Sequence, residues 1–422
     1  MNSTSQDVVV LGAGVIGVTT AYYLAREGHR VTVIDRQPGP GLETSFANGS
    51  QLAGNGAGPW STPNVPGDLW KWLGREDAPL LLRLRAIPGL WRWGPQFLRN
   101  CTAERWRENA RAITSLALLS LAELKAVTGD HAIEYDALQR GILVVHRSQE
   151  SLDRAAAGLA ASNALGMRKV ALDREAVVAT EASLQPIEQE IAGGIYSPDD
   201  ETGDCLKFTQ ALAAIAEQSG VRFLYGAEIG RLRAEGNRIT AINVSGSEIR
   251  GDYYVMCLGS DSMRIARSLG LRLPIYPVKG YSATVSVAGW NGAPTASLVD
   301  EKRKMGFSRL GDRLRMAGTA EFAGFDRRLN TARGGMLISA LVEMFPSFPA
   351  DREAVHWTGL RPMTPDGRPL LGQAGPENLL INSGHGTLGW TLACGSARVI
   401  ADLLAKRTPP VAAEAFSPLR PQ

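Results

Sequence analysis

Near the start of the chain, Gly12-Ala13-Gly14-Val15-Ile16-Gly17 has the residue types and spacing that bring a backbone against a pyrophosphate. Gly12 permits a tight turn, Gly14 lets the main chain approach the phosphates, and Gly17 lets a helix pack closely on a strand. Free N–H groups and the dipole at the start of that helix favour negative charge. Asp35 follows at the end of the next apolar run, where a carboxylate can hydrogen-bond a ribose hydroxyl. With strand, turn, helix and acid all in place, the pattern indicates dinucleotide binding rather than a glycine-rich structural turn. It does not separate a flavin from a nicotinamide dinucleotide.

Three further stretches carry potential chemistry. Arg36 to Gln51 is polar and glycine-rich, with Thr44, Ser45, Asn48 and Gln51 able to wrap a long cofactor; the alternative is an ordinary surface loop. Trp357 to Pro369 is proline-studded and holds Arg361, whose guanidinium could bind both oxygens of a carboxylate or sit in a structural ion pair. Asn382 to Trp390 runs from a strand into a helix through Gly384, His385, Gly386, Thr387, Leu388 and Gly389. Its N–H groups could stabilise charge on the pyrimidine edge of a reduced flavin. His385 there reads either as a packed histidine or as an acid–base group.

The elements that must position these residues follow from the apolar periodicity. Val8–Leu11, a helix over Val18–Glu27 and Val31–Asp35 form a βαβ unit. A long amphipathic helix is expected over Glu104–Val127, a strand pair over Glu134–Arg147 around Gly141, and alanine-rich helix over 150–184. Phe208–Ser219 reads as a helix, Val221–Tyr225 as a strand, and Ala227–Leu232 with Ile239–Val244 as a hairpin turning at Gly236-Asn237. A buried strand from Tyr253 ends at Gly259, another place where backbone can approach a cofactor. Short alternating strands from Pro274 to Phe345, a strand over Leu379–Asn382 and a helix over Leu392–Leu404 complete the chain. The expected fold is α/β: a Rossmann-type domain (1–60, 192–275 and 352–422) interleaved with an α+β domain (61–191 and 276–351) built on an antiparallel sheet.

Composition narrows the function further. The 422 residues carry a net charge of +3 with both signs mixed and no basic run of five, so nucleic acid is not an expected partner. Cys101, Cys205, Cys257 and Cys394 are scattered, and the five histidines lack ligand spacing, so neither disulfides nor a metal site is expected. No signal peptide or run of ~20 apolar residues is evident, which points to a cytoplasmic protein. Trp60, Trp70, Trp72, Trp91, Trp93 and Trp106 cluster among Arg75, Arg83, Arg85, Arg92 and Arg99. That region, 60–106, suits either an ordinary core or peripheral contact with a membrane.

Taken in order, the GxGxxG turn, Glu43-Thr44-Ser45…Asn48, Glu201–Cys205, Pro277–Ser282, Gly359–Gly367 and Gly384–Trp390 resemble one family. The chain is similar, from about residue 7 to 410, to the small subunits of bacterial D-amino-acid dehydrogenases, within the glycine-oxidase and D-amino-acid-oxidase superfamily. The resemblance implies non-covalent FAD and oxidative deamination of small D-amino acids to 2-oxo acids and ammonia, by hydride transfer from Cα to flavin N5. It implies electrons passing to a quinone or another respiratory carrier, with the protein on the cytoplasmic face of the inner membrane. By position, Arg361 matches the carboxylate-binding arginine, Gly384 to Gly389 the turn under the flavin, and Ile229 a backbone contact to adenine. Thr387 stands where glycine oxidases place a second arginine, so a hydroxyl donor, expected to be Tyr281, would assist Arg361. Rival expectations are a dioxygen-using oxidase, a D-proline or hydroxyproline dehydrogenase, an NAD-dependent enzyme and a non-catalytic flavin-binding protein.

Overall fold

The computed structural model describes residues 5–54, 56–72, 75–76, 78–349 and 351–421; the side chains of residues 70–72, Trp70 and Trp72 among them, lie outside the described ones. The chain opens with β1 (Asp7–Leu11), α1 (Val15–Arg26) and β2 (Arg30–Ile34). β1 is an unbroken apolar run because it is covered on both faces, as a central parallel strand must be. Its sheet has six strands, in the order Leu370–Gln373, Leu379–Ser383, β3 (Tyr253–Met256), β1, β2, Arg222–Leu224. Pairing is parallel except at the Leu370–Gln373 edge. α1 starts at Val15, three residues before the apolar periodicity indicates, because Gly14 already has the extended conformation of an N-cap.

The second sheet has nine strands and is mostly antiparallel. At its centre are β4 (Tyr276–Ser286) and β5 (Arg313–Phe322), with β6 (Ala354–Met363) on the outer side of β4. Beyond β5 come Met305–Leu310, Ser297–Asp300, Ile142–His146, Gly193–Ser197 and Val170–Asp173. The sheet is mixed rather than purely antiparallel: Ser297–Asp300 runs parallel to Ile142–His146, and Leu80–Leu82 adds parallel to β5. β4 is buried along nearly its whole length, since helix Thr331–Met344 covers one face and a cavity lies on the other.

Several elements differ from the sequence reading. The expected strand pair over 134–147 is one strand, Ile142–His146; residues 134–141 contribute a single bridge, Leu138 to Thr202. Ile142–His146 finds its partners at Ser197–Gly193 and Ser297–Asp300, far along the chain. The alanine-rich 150–184 region is broken by the strand Val170–Asp173, which tertiary pairing with Gly193–Ser197 draws out of helix. Among the short strands expected from Pro274 to Phe345, β4 is longer than expected, at eleven residues.

Three elements also sit across the expected domain boundaries. The helix α2 (Ala103–His131) packs with α1 and α3 (Gly389–Leu404) against the first sheet, through Ile113, Leu116, Ala117, Leu124 and Val127. α2 is long and apolar enough in composition to cross a bilayer, with a mean hydropathy of 1.3 over its best window, yet these side chains serve a protein core. Gly193–Ser197 and β6 lie in the second sheet, not the first. β6 therefore delivers Arg361 to the substrate-side sheet, and the chain returns to the first sheet before reaching the 384–389 turn.

Candidate active site

A cavity of about 1250 Å3 runs between the two sheets, and the glycine turn forms one end of it. Gly12 has a φ of +102°, and a Cβ there would stand 2.8 Å from the carbonyl oxygen of Cys257. A Cβ at Gly17 would collide with the carbonyl of Gly12, so this glycine is a packing device that does not itself line the cavity. Gly14, Val15 and Ile16 do line it. A Cβ at Gly14 would meet protein only at Ser45 Oγ, 3.5 Å away, and would otherwise project into open space. The α1 N-terminus has no side-chain cap of its own; Ser45 Oγ, from the next loop, accepts from Val15 N at 3.0 Å. A bare helix start, a glycine cradle and an acid at the end of β2 fit the pyrophosphate and ribose of FAD.

Asp35 accepts from Ala13 N at 2.6 Å and Gln37 N at 2.7 Å, while burial raises its pKa. Arg36 lines the cavity but is held by Glu43 at 2.6 Å and Asp261 at 3.1 Å, so it reaches a cofactor as part of that network. Ile229 and Gly259 lie in the same wall.

The 44–51 loop joins the two halves by crossing the second sheet strand by strand. Thr44 Oγ1 donates to Leu360 O on β6 at 3.0 Å, and Ser282 Oγ on β4 donates to Ala47 O at 2.7 Å. Ser308 Oγ donates to Gly49 O at 2.8 Å, and Gln51 Nε2 to Ser297 Oγ at 3.1 Å. Asn48 Oδ1 accepts from Ser50 N at 2.9 Å. Thr44, Ser45, Asn48 and Gln51 all reach the cavity, so this segment is a wall and not a free surface loop.

At the far end lies Arg361. β6 pairs with β4 so that Arg361 faces Val278, and the guanidinium lies over Gly280, where any Cβ would collide with it. Arg361 NH1 donates to Thr319 O at 2.9 Å, and the guanidinium stands 5.7 Å from the ring centre of Trp60. No carboxylate among the described residues pairs with it, and burial pushes its pKa down to about 10. A buried cation without an anion is costly, and a cavity-facing one is a site for a ligand carboxylate.

Tyr281 departs from its expected role, and His385 takes one of the two readings the sequence left open. Tyr281 reaches the cavity, but its hydroxyl donates to Glu321, which also takes Arg83 Nε at 2.7 Å and Lys279 Nζ at 3.4 Å. Burial and that carboxylate both raise the tyrosine's pKa, so its proton is committed and is not offered to a substrate. His385 is buried, shares a 3.0 Å hydrogen bond with Ser396 Oγ, and is pushed down to about 3 by burial, which favours the neutral ring and the packed reading. Gly386, Thr387, Leu388 and Gly389 line the cavity at the uncapped start of α3; Gly384, with a φ of +81°, sits behind them against Thr364.

Sequence reasoning missed Thr319 and the buried Lys279–Glu321 pair that half-buried Arg83 joins. No local pattern marks them, because their meaning comes from strands paired across the second sheet. The tryptophans divide: Trp60 lines the cavity, Trp93 is buried with its indole N–H on Met363 O, and Trp91 is 67% exposed with Arg92 over its ring.

The geometry agrees with the comparisons. Residues 7–403 match the model of a family described as FAD dependent oxidoreductase. A D-amino acid dehydrogenase of Paramagnetospirillum magneticum is 48% identical over 404 residues, 95% of each chain. One from Agrobacterium fabrum is 45% identical over 405 residues, 96% of this chain and 97% of its own. Among solved structures, glycine oxidase from Geobacillus kaustophilus superposes over 100% of both chains with a TM-score of 0.78 at 21% identity. L-proline dehydrogenase from P. horikoshii follows at 0.76 and 18%, covering 99% of this chain and 97% of that one. At those identities the structures speak for the fold alone.

Proposed function

Since this chain belongs to the family of FAD-dependent oxidoreductases, we propose that it converts D-amino acids to 2-oxo acids and ammonia. The observation that carries the reading is Arg361, a half-buried guanidinium with no carboxylate partner among the described residues, lining the same cavity as the pyrophosphate cradle. FAD, held non-covalently along that cavity, supplies the two-electron acceptor for the Cα–H bond. Arg361 grips the substrate carboxylate and thereby sets which substituent of Cα faces inward. The start of α3 turns its N–H groups and positive dipole end towards the cavity, where they stabilise negative charge. Neutral His385 and the engaged Tyr281 hold their neighbours in place and move no proton. Catalysis by this chain is orientation and electrostatics.

For the acceptor we favour a quinone or another respiratory carrier, reached from the cytoplasmic face of the inner membrane. What supports this is that Leu84 (80% exposed), Ile87, Trp91 and Leu98 are exposed along one stretch of chain that also exposes Arg85, Arg92 and Arg99. Phe97, on the same short helix as Leu98, lines the cavity. Such a stretch suits the headgroup boundary of a bilayer. Trp91→Glu should abolish co-sedimentation with anionic liposomes; a wild-type protein that never sediments ends the membrane reading.

The experiment for the reaction is anaerobic mixing of the holoenzyme with D-alanine and, separately, L-alanine while the flavin absorbance is followed. Bleaching by the D-enantiomer alone is expected. Bleaching by neither, across a panel of D-amino acids, overturns the reading. Peroxide formed in step with substrate in air would replace the respiratory acceptor by dioxygen.

A further inference from the structure

β5 carries one residue too many for its partner. Gly280 of β4 faces Ala320 and Tyr281 faces Gly318, which leaves Thr319 as an unpaired bulge residue between them. Its φ is +51°, a left-handed conformation uncommon for a β-branched side chain in a strand. Strained positions of this kind persist where the surroundings over-determine them, and bulges re-aim side chains at functional sites.

The side chain itself points to a ligand. Thr319 is 5% exposed, belongs to the cavity wall, and its buried Oγ1 has no hydrogen-bond partner among the described residues. An unmatched buried hydroxyl is costly, and the cost is relieved when a bound group completes it. The residue's carbonyl, meanwhile, accepts from Arg361 NH1 at 2.9 Å. One residue of the cavity wall thus fixes the guanidinium through its main chain and carries a buried hydroxyl with no partner among the described residues.

We propose that Thr319 is a substrate-binding residue whose hydroxyl donates to the α-carboxylate held by Arg361, while its carbonyl sets the guanidinium plane. The proposal rests on the amino-acid substrate inferred above. It supplies the second carboxylate donor, a role that Tyr281 cannot fill while its hydroxyl serves Glu321. The amine needs no such partner, since a hydroxyl beside a cation that binds carboxylate is best used as a charge-assisted donor.

The test uses purified holoenzyme with Thr319→Val, Thr319→Ser and Thr319→Gly. Thr319→Val should raise KM for D-alanine about tenfold, the size of a lost hydrogen bond to a charged group, with kcat nearly unchanged. Thr319→Ser should stay close to wild type. Thr319→Gly relaxes the backbone yet lacks the hydroxyl, so it should resemble the valine variant and stands in if that one does not fold. D-alaninamide, which has no carboxylate, should feel none of these changes. Propionate, titrated against the flavin spectrum, should bind about tenfold more weakly to the valine and glycine variants but not to the serine variant. Serine as poor as valine, an equal penalty on D-alaninamide, or unchanged propionate affinity each overturns the role. If no D-amino acid reduces the wild-type flavin, the reaction fails while the propionate series still decides Thr319.

Discussion

The two ends of the cavity are built in opposite ways. At the cofactor end, turn, helix and acid come from one stretch, residues 7–35, and its defining contacts lie within that stretch, Ala13 N to Asp35 and Gly17 against Gly12, with Cys257 and Ser45 closing on it from outside. At the substrate end, Arg361, Gly280 and Thr319 meet because three strands lie side by side, although they are some forty to eighty positions apart in the chain. The first end offers backbone N–H groups and admits no side chain at Gly12 or Gly17. The second binds with side chains whose charge is left unbalanced by the protein. A local device recognises what many proteins bind; a non-local one recognises what this protein binds.

That contrast can be broken at either end. The largest effect is expected from Gly17→Ala, because the new methyl collides with the carbonyl of Gly12. The variant should purify without yellow colour; full flavin occupancy would show that the turn can yield. Arg361→Ala should keep its flavin but raise KM for D-alanine on the order of a hundredfold, the cost of truncating one member of a buried charge pair. A KM within a few-fold of wild type would remove Arg361 from substrate binding.

His385 sharpens the comparison through pH. Its pKa is lowered in the fold to about 3, so the unfolded chain binds the extra proton between there and about 6.5. The stability that this histidine contributes is present above about pH 6.5 and is lost as pH falls; by pH 5 the loss is roughly 2 kcal/mol. Calorimetry of wild type and His385→Gln at pH 7 and pH 5 should show a smaller decline in Tm for the variant, and parallel declines would refute the assignment. The smallest effect should come from Tyr281→Phe. Since its hydroxyl serves Glu321, KM for D-alanine should change less than about threefold while stability falls by about 1–2 kcal/mol, the cost of a buried hydrogen bond to a charge. A KM increase rivalling that of Arg361→Ala would restore Tyr281 as a direct substrate contact.

Much of this was legible without coordinates. The βαβ unit, the Gly236-Asn237 hairpin turn and the long helix, expected over 104–127 and found over 103–131, follow from local patterns. Arg361 and the 384–389 turn were visible as motifs, and the structure puts both on the same cavity as the glycine turn. The errors have a common origin. Residues 134–141 and 170–173 took their conformation from partners that no window of sequence contains. The availability of Tyr281 was misjudged for the same reason: Glu321 lies forty residues away and meets it only across β4 and β5.

By itself, then, the sequence determined the groups whose function depends on type and close spacing: the glycines, the β2 acid and Arg361 in a proline-studded stretch. Tertiary structure decided which polar side chains are already spent. Hydrogen bonds saturate, so a hydroxyl that finds a carboxylate in the fold is lost to a ligand, as at Tyr281. One stranded on a bulge without a partner, as at Thr319, is kept for it.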